Sequence, residues 1–102
     1  MSLTFQEFQT IAASLKPNGK AFIDGAFCDA EDCEKFVSTN PANGETLAEV
    51  AHCKAADVDK AVLAARRVFN EGTWSRAEPE ERKEVLLKVA QLVREHTNEL
   101  AV

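Results

Sequence analysis

The stretch "FVSTNPANGE", residues 36–45, limits the fold more than any other in the chain. Pro41 presets φ for a turn, and Asn43 and Gly44 tolerate left-handed backbone. The flanks, "KFVS" before and "TLAEVA" after, favour extended chain. A reversal is therefore expected here, joining strands over 35–39 and 46–52. A second reversal is expected at Asp24-Gly25 within "KAFIDGAF", because both positions of a tight hairpin turn need φ > 0. Its strands are placed at 20–24 and 26–29.

Outside these hairpins the apolar period changes to that of helices. Leu3, Phe5, Phe8, Ile11, Ala12 and Leu15 fall near helical spacing. Ser2 or Thr4 can cap that helix, which must end before Pro17. In "DVDKAVLAARRVFNEG", Val58, Ala61, Val62, Ala65, Val68 and Phe69 line one face, with Lys60, Arg67 and Asn70 away from it. Asp57 and Asp59 at the start, and Arg66 and Arg67 toward the end, complement the helix dipole. Gly72 is the expected stop. A further helix opens at Pro79 and buries Val85, Leu86, Val89, Leu92 and Val93. Thr97 or Asn98 ends it or caps a new one at "ELAV". Helix, four short strands and two amphipathic helices make an α+β unit.

A length of 102 residues with 45% apolar content allows one modest core and not two domains. Twelve Lys and Arg stand against seventeen Asp and Glu, a net charge of −5. That balance is the reverse of the basic footprint for nucleic acid. No apolar run nears the roughly 20 residues of a membrane span. "MSLTFQEFQT" has no signal-peptide pattern. Cys28, Cys33 and Cys53 form no CxxC and no even set, which fits a reducing, cytoplasmic setting.

No reactive centre emerges from the residues themselves. Gly19, Gly25, Gly44 and Gly72 are isolated, so there is no phosphate-binding loop. Cys28, Cys33, His52 and Cys53 are zinc-ligand types. However, His52 and Cys53 are strand neighbours whose side chains point to opposite faces. Cys28 and Cys33 lie among Asp29, Glu31, Asp32 and Glu34, a poor field for a thiolate. Cys53, beside His52 and Lys54, has a better field but no orienting carboxylate. The acids at 78, 80, 81 and 84 read as a solvated helix start. Arg66, Arg67, Arg76, Arg82 and Lys83, interleaved with acids, read as ordinary charged surface. Trp74 is expected to plug the angle between the two long helices, with ligand stacking as the alternative.

Taken in order, "AFIDGAF", "FVSTNPANGETLAEVA", "DVDKAVLAARRVF", "GTWS" and "ERKEVLLKVAQLVREHTNELA" resemble the amino-terminal portion of the NAD(P)-dependent aldehyde dehydrogenases. The opening "MSLTFQEFQTIAASLKPNGKAFIDG" is similar to the branch that oxidises amino-aldehydes, such as γ-glutamyl-γ-aminobutyraldehyde. The resemblance implies a much longer parent with an α/β Rossmann-like cofactor domain, NAD or NADP as cofactor, and a homodimeric or homotetrameric assembly. Residues 1–18 would be an N-terminal helix or arm, and 19–102 an incomplete N-terminal segment of the cofactor-binding domain. The family's acidic "LE-x-x-D-x-GK" helix, cysteine nucleophile, glutamate base and oxyanion-hole asparagine would lie beyond residue 102. The chain itself would then hold no catalytic and no cofactor-binding residue, and the stripe of Val85, Val89, Leu92 and Val93, its cover lying in the rest of the parent, would be exposed as an apolar patch. The resemblance further implies that the backbone carbonyls of Ser38 and Thr39 help coordinate a structural monovalent cation. The competing reading is a stand-alone interaction module that associates through its apolar helix faces.

Overall fold

The computed structural model describes residues 2–102. They form α1 (Phe5–Ser14), β1 (Ala21–Ile23), β2 (Ala26–Cys28), β3 (Lys35–Thr39), β4 (Thr46–Ala51), α2 (Ala55–Glu71), α3 (Pro79–Glu95) and α4 (Thr97–Ala101). The α+β composition matches the expectation from sequence. The strands make two separate antiparallel ribbons, β1–β2 and β3–β4. The chain divides into two compact units, Pro17–Ser75 and a second one built from residues 2–16 together with Arg76–Val102.

In the Pro17–Ser75 unit, Asp24 (φ 53) and Gly25 (φ 77) supply the left-handed pair that the first hairpin needs. Phe22 and Phe27 face each other across it, edge to face, with centroids 5.0 Å apart. Lys35 pairs with Ala51 at one end of the second ribbon and Thr39 with Thr46 at the other. β3 has the bounds expected from sequence, β2 and β4 end one residue early, and β1 loses a residue at each end, Asp24 belonging to the turn; such ends shift by a residue or two between criteria. His52 N–H still donates to the Glu34 carbonyl at 2.8 Å.

The far edge of β4 is met by Gly19. Ala51 N–H donates to the Gly19 carbonyl at 2.7 Å, and a Cβ on residue 19 would lie 1.8 Å from the Glu49 carbonyl oxygen. Only glycine fits that approach. α2 follows, packs on β1, and stops at Gly72 in the left-handed conformation, φ 78.

In the second unit, Thr4 and Glu7 close a capping box on α1. Thr4 Oγ1 accepts from Glu7 N–H at 3.3 Å, and Glu7 Oε2 accepts from Thr4 N–H at 2.7 Å. Leu3, Phe8, Ile11 and Leu15 are half-buried where α1 meets α4, whereas Phe5, expected on the same face, is exposed. α3 ends at Glu95, and α4 adds one short helix in which His96 Nδ1 lies 2.9 Å from Glu99 Oε2.

Burial is sparse. Among the described residues only Ala30 (3% exposed) and Asp57 (5%) are buried. The α3 stripe is open, as the resemblance to a longer parent implied: Leu86 is 61% exposed, with Val85, Val89, Leu92 and Val93 similarly bare. Nothing described covers it. Val58 and Val62 on α2 are open in the same way. Folded as one compact body, 11.2 kDa of chain exposes about 5,700 Å², and as two separately compact bodies about 6,800 Å². This chain exposes 8351 Å².

Candidate functional site

Three features of the Pro17–Ser75 unit carry chemistry or recognition. The first is the turn after β3. The ladder breaks register between Ser38, paired with Ala48, and Thr39, paired with Thr46, so Leu47 is bulged. The turn then closes on itself. Asn40 N–H donates to the Glu45 carbonyl (2.8 Å) and Gly44 N–H to the Asn40 carbonyl (2.7 Å). The Asn40 side chain accepts from Ala42 N–H at 2.9 Å, and Asn43 Oδ1 from Glu45 N–H at 3.0 Å. Ser38 is half-buried and Thr39 exposed, both at the bulge.

The second feature surrounds the start of α2. The Asp57 carboxylate accepts from Lys54 N–H at 3.0 Å through Oδ2 and from Glu31 N–H at 2.9 Å through Oδ1. Those two backbone donors hold its pKa below the usual carboxylate range, the Lys54 bond contributing most. One side chain thus ties the 29–34 loop to the helix. Around it Lys54 Nζ pairs with Asp32 and, at 2.6 Å, with Glu34, whose other oxygen lies 3.0 Å from His52 Nδ1. Lys54 lowers the pKa of both carboxylates, and they raise its own. Sequence reasoning treated Asp57 as a helix-dipole charge and missed the loop it fastens. Its place three residues into the helix signals the bond from Lys54 N–H but not the loop.

Cys53 is half-buried, and burial first, then the Asp57 charge, pushes its thiol pKa upward. The Lys54 ammonium is engaged by carboxylates, so the thiol gains little from it. Cys28 is half-buried on β2, and Cys33 is exposed in a turn at φ 60, where its N–H donates to the Ala30 carbonyl (2.8 Å). Among the described residues no three His, Cys, Asp or Glu side chains gather as metal ligands. Nor does either long helix offer a phosphate its N-terminus. Asp57 occupies that of α2, and Glu80 and Glu81 stand in the first turn of α3.

The third feature is an apolar groove of ≈ 520 Å³ between the β1–β2 turn and α2, lined chiefly by Phe22, Ala61, Ala65, Val68, Phe69 and Trp74. Trp74 lines this groove and stays 43% exposed. It lies just past the Gly72 stop, where Ser75 Oγ donates to the Phe69 carbonyl at 3.0 Å. Arg67 secures the groove's rim by pairing with Asp24 of the hairpin turn. A largely apolar wall with few convergent polar groups suits packing better than catalysis.

A family model described as the aldehyde dehydrogenase family matches residues 27–102. The chain belongs to that family. It is 52% identical over 100 residues to an aminoacetaldehyde dehydrogenase of Pseudomonas aeruginosa, a match spanning 98% of this chain and 20% of that protein. It is 40% identical over 95 residues to the NADP/NAD-dependent aldehyde dehydrogenase PuuC of Escherichia coli, covering 93% of this chain and 19% of the relative. Among solved structures, the γ-glutamyl-γ-aminobutyraldehyde dehydrogenase of Burkholderia cenocepacia superimposes with a TM-score of 0.89 at 50% identity, over 92% of this chain and 19% of that one. The indole-3-acetaldehyde dehydrogenase of P. syringae, in complex with NAD+, gives 0.93 at 40% identity over 98% and 20%. This family member thus spans about a fifth of the length of the relatives it matches. Among the described residues no helix is long and apolar enough to cross a membrane.

Proposed function

We propose that this chain acts as the amino-terminal scaffold of an enzyme that oxidises an aldehyde, of the amino-aldehyde class, to a carboxylate with NAD or NADP. The observation that carries the proposal is the asymmetry of the match. Nearly all of this chain aligns at 52% identity, but with only 20% of an aminoacetaldehyde dehydrogenase. The open stripe on α3 and the groove beside Trp74 supply the apolar surface that the other four-fifths would cover. In this reading residues 19–102 begin a Rossmann-like cofactor domain and residues 1–18 form an arm upon it. The nucleophile, base, oxyanion donors and dinucleotide site all come from outside the chain. Ser38 and Thr39 offer their carbonyls to a monovalent cation, and the bulge and closed turn beside them favour that role. The assembled enzyme is a cytoplasmic homodimer or homotetramer.

The test is complementation. The P. aeruginosa relative lacking its own matching fifth is expressed with and without this chain, and nicotinamide reduction is followed on aminoacetaldehyde. Activity should need both pieces. Turnover by this chain alone, or none from the pair when the two co-purify, refutes the scaffold reading.

A further inference from the structure

The sequence contains two Asn-Gly dipeptides, Asn18-Gly19 and Asn43-Gly44, and the fold places them in opposite circumstances. Asparagine is a chemically labile residue. It is most labile before glycine, where no side chain hinders the next backbone nitrogen. Both asparagines accept a hydrogen bond from the N–H two residues on, at 2.9 Å for Asn18 and 3.0 Å for Asn43. Local side-chain geometry therefore does not separate them.

Anchorage does. Gly19 lies against the β4 backbone, with its carbonyl accepting from Ala51 N–H, and any rotation there works against Glu49. The bonds recorded for the 40–44 tip all run within residues 40–45, and nothing stands within 4 Å of where a Cβ on Gly44 would be. Opening the tip breaks only its own bonds. Opening Asn18-Gly19 must also detach it from the ribbon.

We propose that Asn43 is a site of spontaneous deamidation while Asn18 is protected by the fold. The Gly44 nitrogen, its proton taken by hydroxide, attacks Cγ of Asn43. A new N–C bond closes a five-membered succinimide, the bond from Cγ to the side-chain nitrogen breaks, and that nitrogen leaves as ammonia with a proton from water. Water then opens the ring at either carbonyl, giving aspartate or isoaspartate, and nothing is oxidised or reduced. Asn40 cannot follow this route, because Pro41 has no N–H to lose.

The product alters the turn. Asn43 Nδ2 now donates to Glu45 Oε2 at 3.2 Å, and a carboxylate in its place faces that oxygen with like charge. Isoaspartate also carries the backbone through the side-chain methylene, lengthening a loop whose register is set residue by residue.

The chain is aged at physiological temperature in mildly alkaline buffer, digested with trypsin, and the one-dalton gain is located by fragmentation in the peptides covering 1–20 and 36–54. Asn43 should convert about an order of magnitude faster than Asn18, reflecting the difference between local and ribbon opening. In concentrated urea the two rates should converge. Equal rates in buffer overturn the proposal, as does the same preference persisting in urea, which would assign it to sequence context.

Discussion

Unfolding this chain in urea should expose only about three-quarters of the surface that a self-contained domain of its mass exposes. The unfolded chain presents about 16,200 Å² and a compact fold of 11.2 kDa about 5,700 Å², so ordinary folding hides about 10,500 Å². With 8351 Å² still accessible, this chain hides about 7,900 Å². The heat-capacity change of unfolding scales with that area and should fall to about 0.9–1.1 kcal/mol/K, against about 1.2–1.5 for a typical domain of similar length. The urea m-value should fall in the same proportion. Calorimetry and urea titration, run at several dilutions so that self-association shows as concentration dependence, measure both. A full-sized heat capacity with a concentration-independent, two-state transition would refute the reasoning. It would mean that the helix faces find cover within residues 1–102.

Other substitutions probe single features. Leu86→Ala should change stability by no more than about 0.5 kcal/mol in this chain, as for an exposed site. Once α3 is covered in an assembled enzyme it should cost about 2–5 kcal/mol, and paired denaturation curves check this. Gly19→Ala should cost more than the about 1–3 kcal/mol of ordinary overpacking, because the clash is with the Glu49 backbone. Gly25→Ala, with open space around it, should cost only the left-handed strain of about 1–2 kcal/mol. Replacing each with Asn should relieve strain at position 25 and worsen the clash at 19. Asp57→Asn removes a carboxylate whose folded pKa is depressed. Its stabilisation is present above about pH 4 and is lost as pH falls through the folded value. The variant's acid unfolding should begin from lower stability at neutral pH and fall less steeply, as followed by circular dichroism.

The elements were legible because the chain marks its reversals with residues that admit few conformations. Asp24-Gly25, Pro41 through Gly44 and Gly72 all fall where the structure turns. Whether a face is covered was legible only through the resemblance to a longer parent. Periodicity shows that Val85, Val89 and Leu92 share a side of α3 but carries no information about what lies opposite. Asp57 was visible as an acid near a helix start, but its partner Glu31 lies 26 residues away and pairing at that distance has no local signature. Cys33 at φ 60 was equally hidden, since nothing about cysteine favours that conformation. Ser38 and Thr39 came from resemblance alone. Their side chains say nothing about carbonyls, and only the bulge gives the position a physical distinction.

The packing of α1 on α4 has a consequence for synthesis. α1 leaves the ribosome well before its partner α4 is made. The intervening 80 or so residues take about 4–16 s to translate. Through that interval Phe8, Ile11 and Leu15 have no native neighbour, while both β-ribbons can already close. The capping box at Thr4 and Glu7, which needs nothing distant, is what α1 has to hold its shape during the wait.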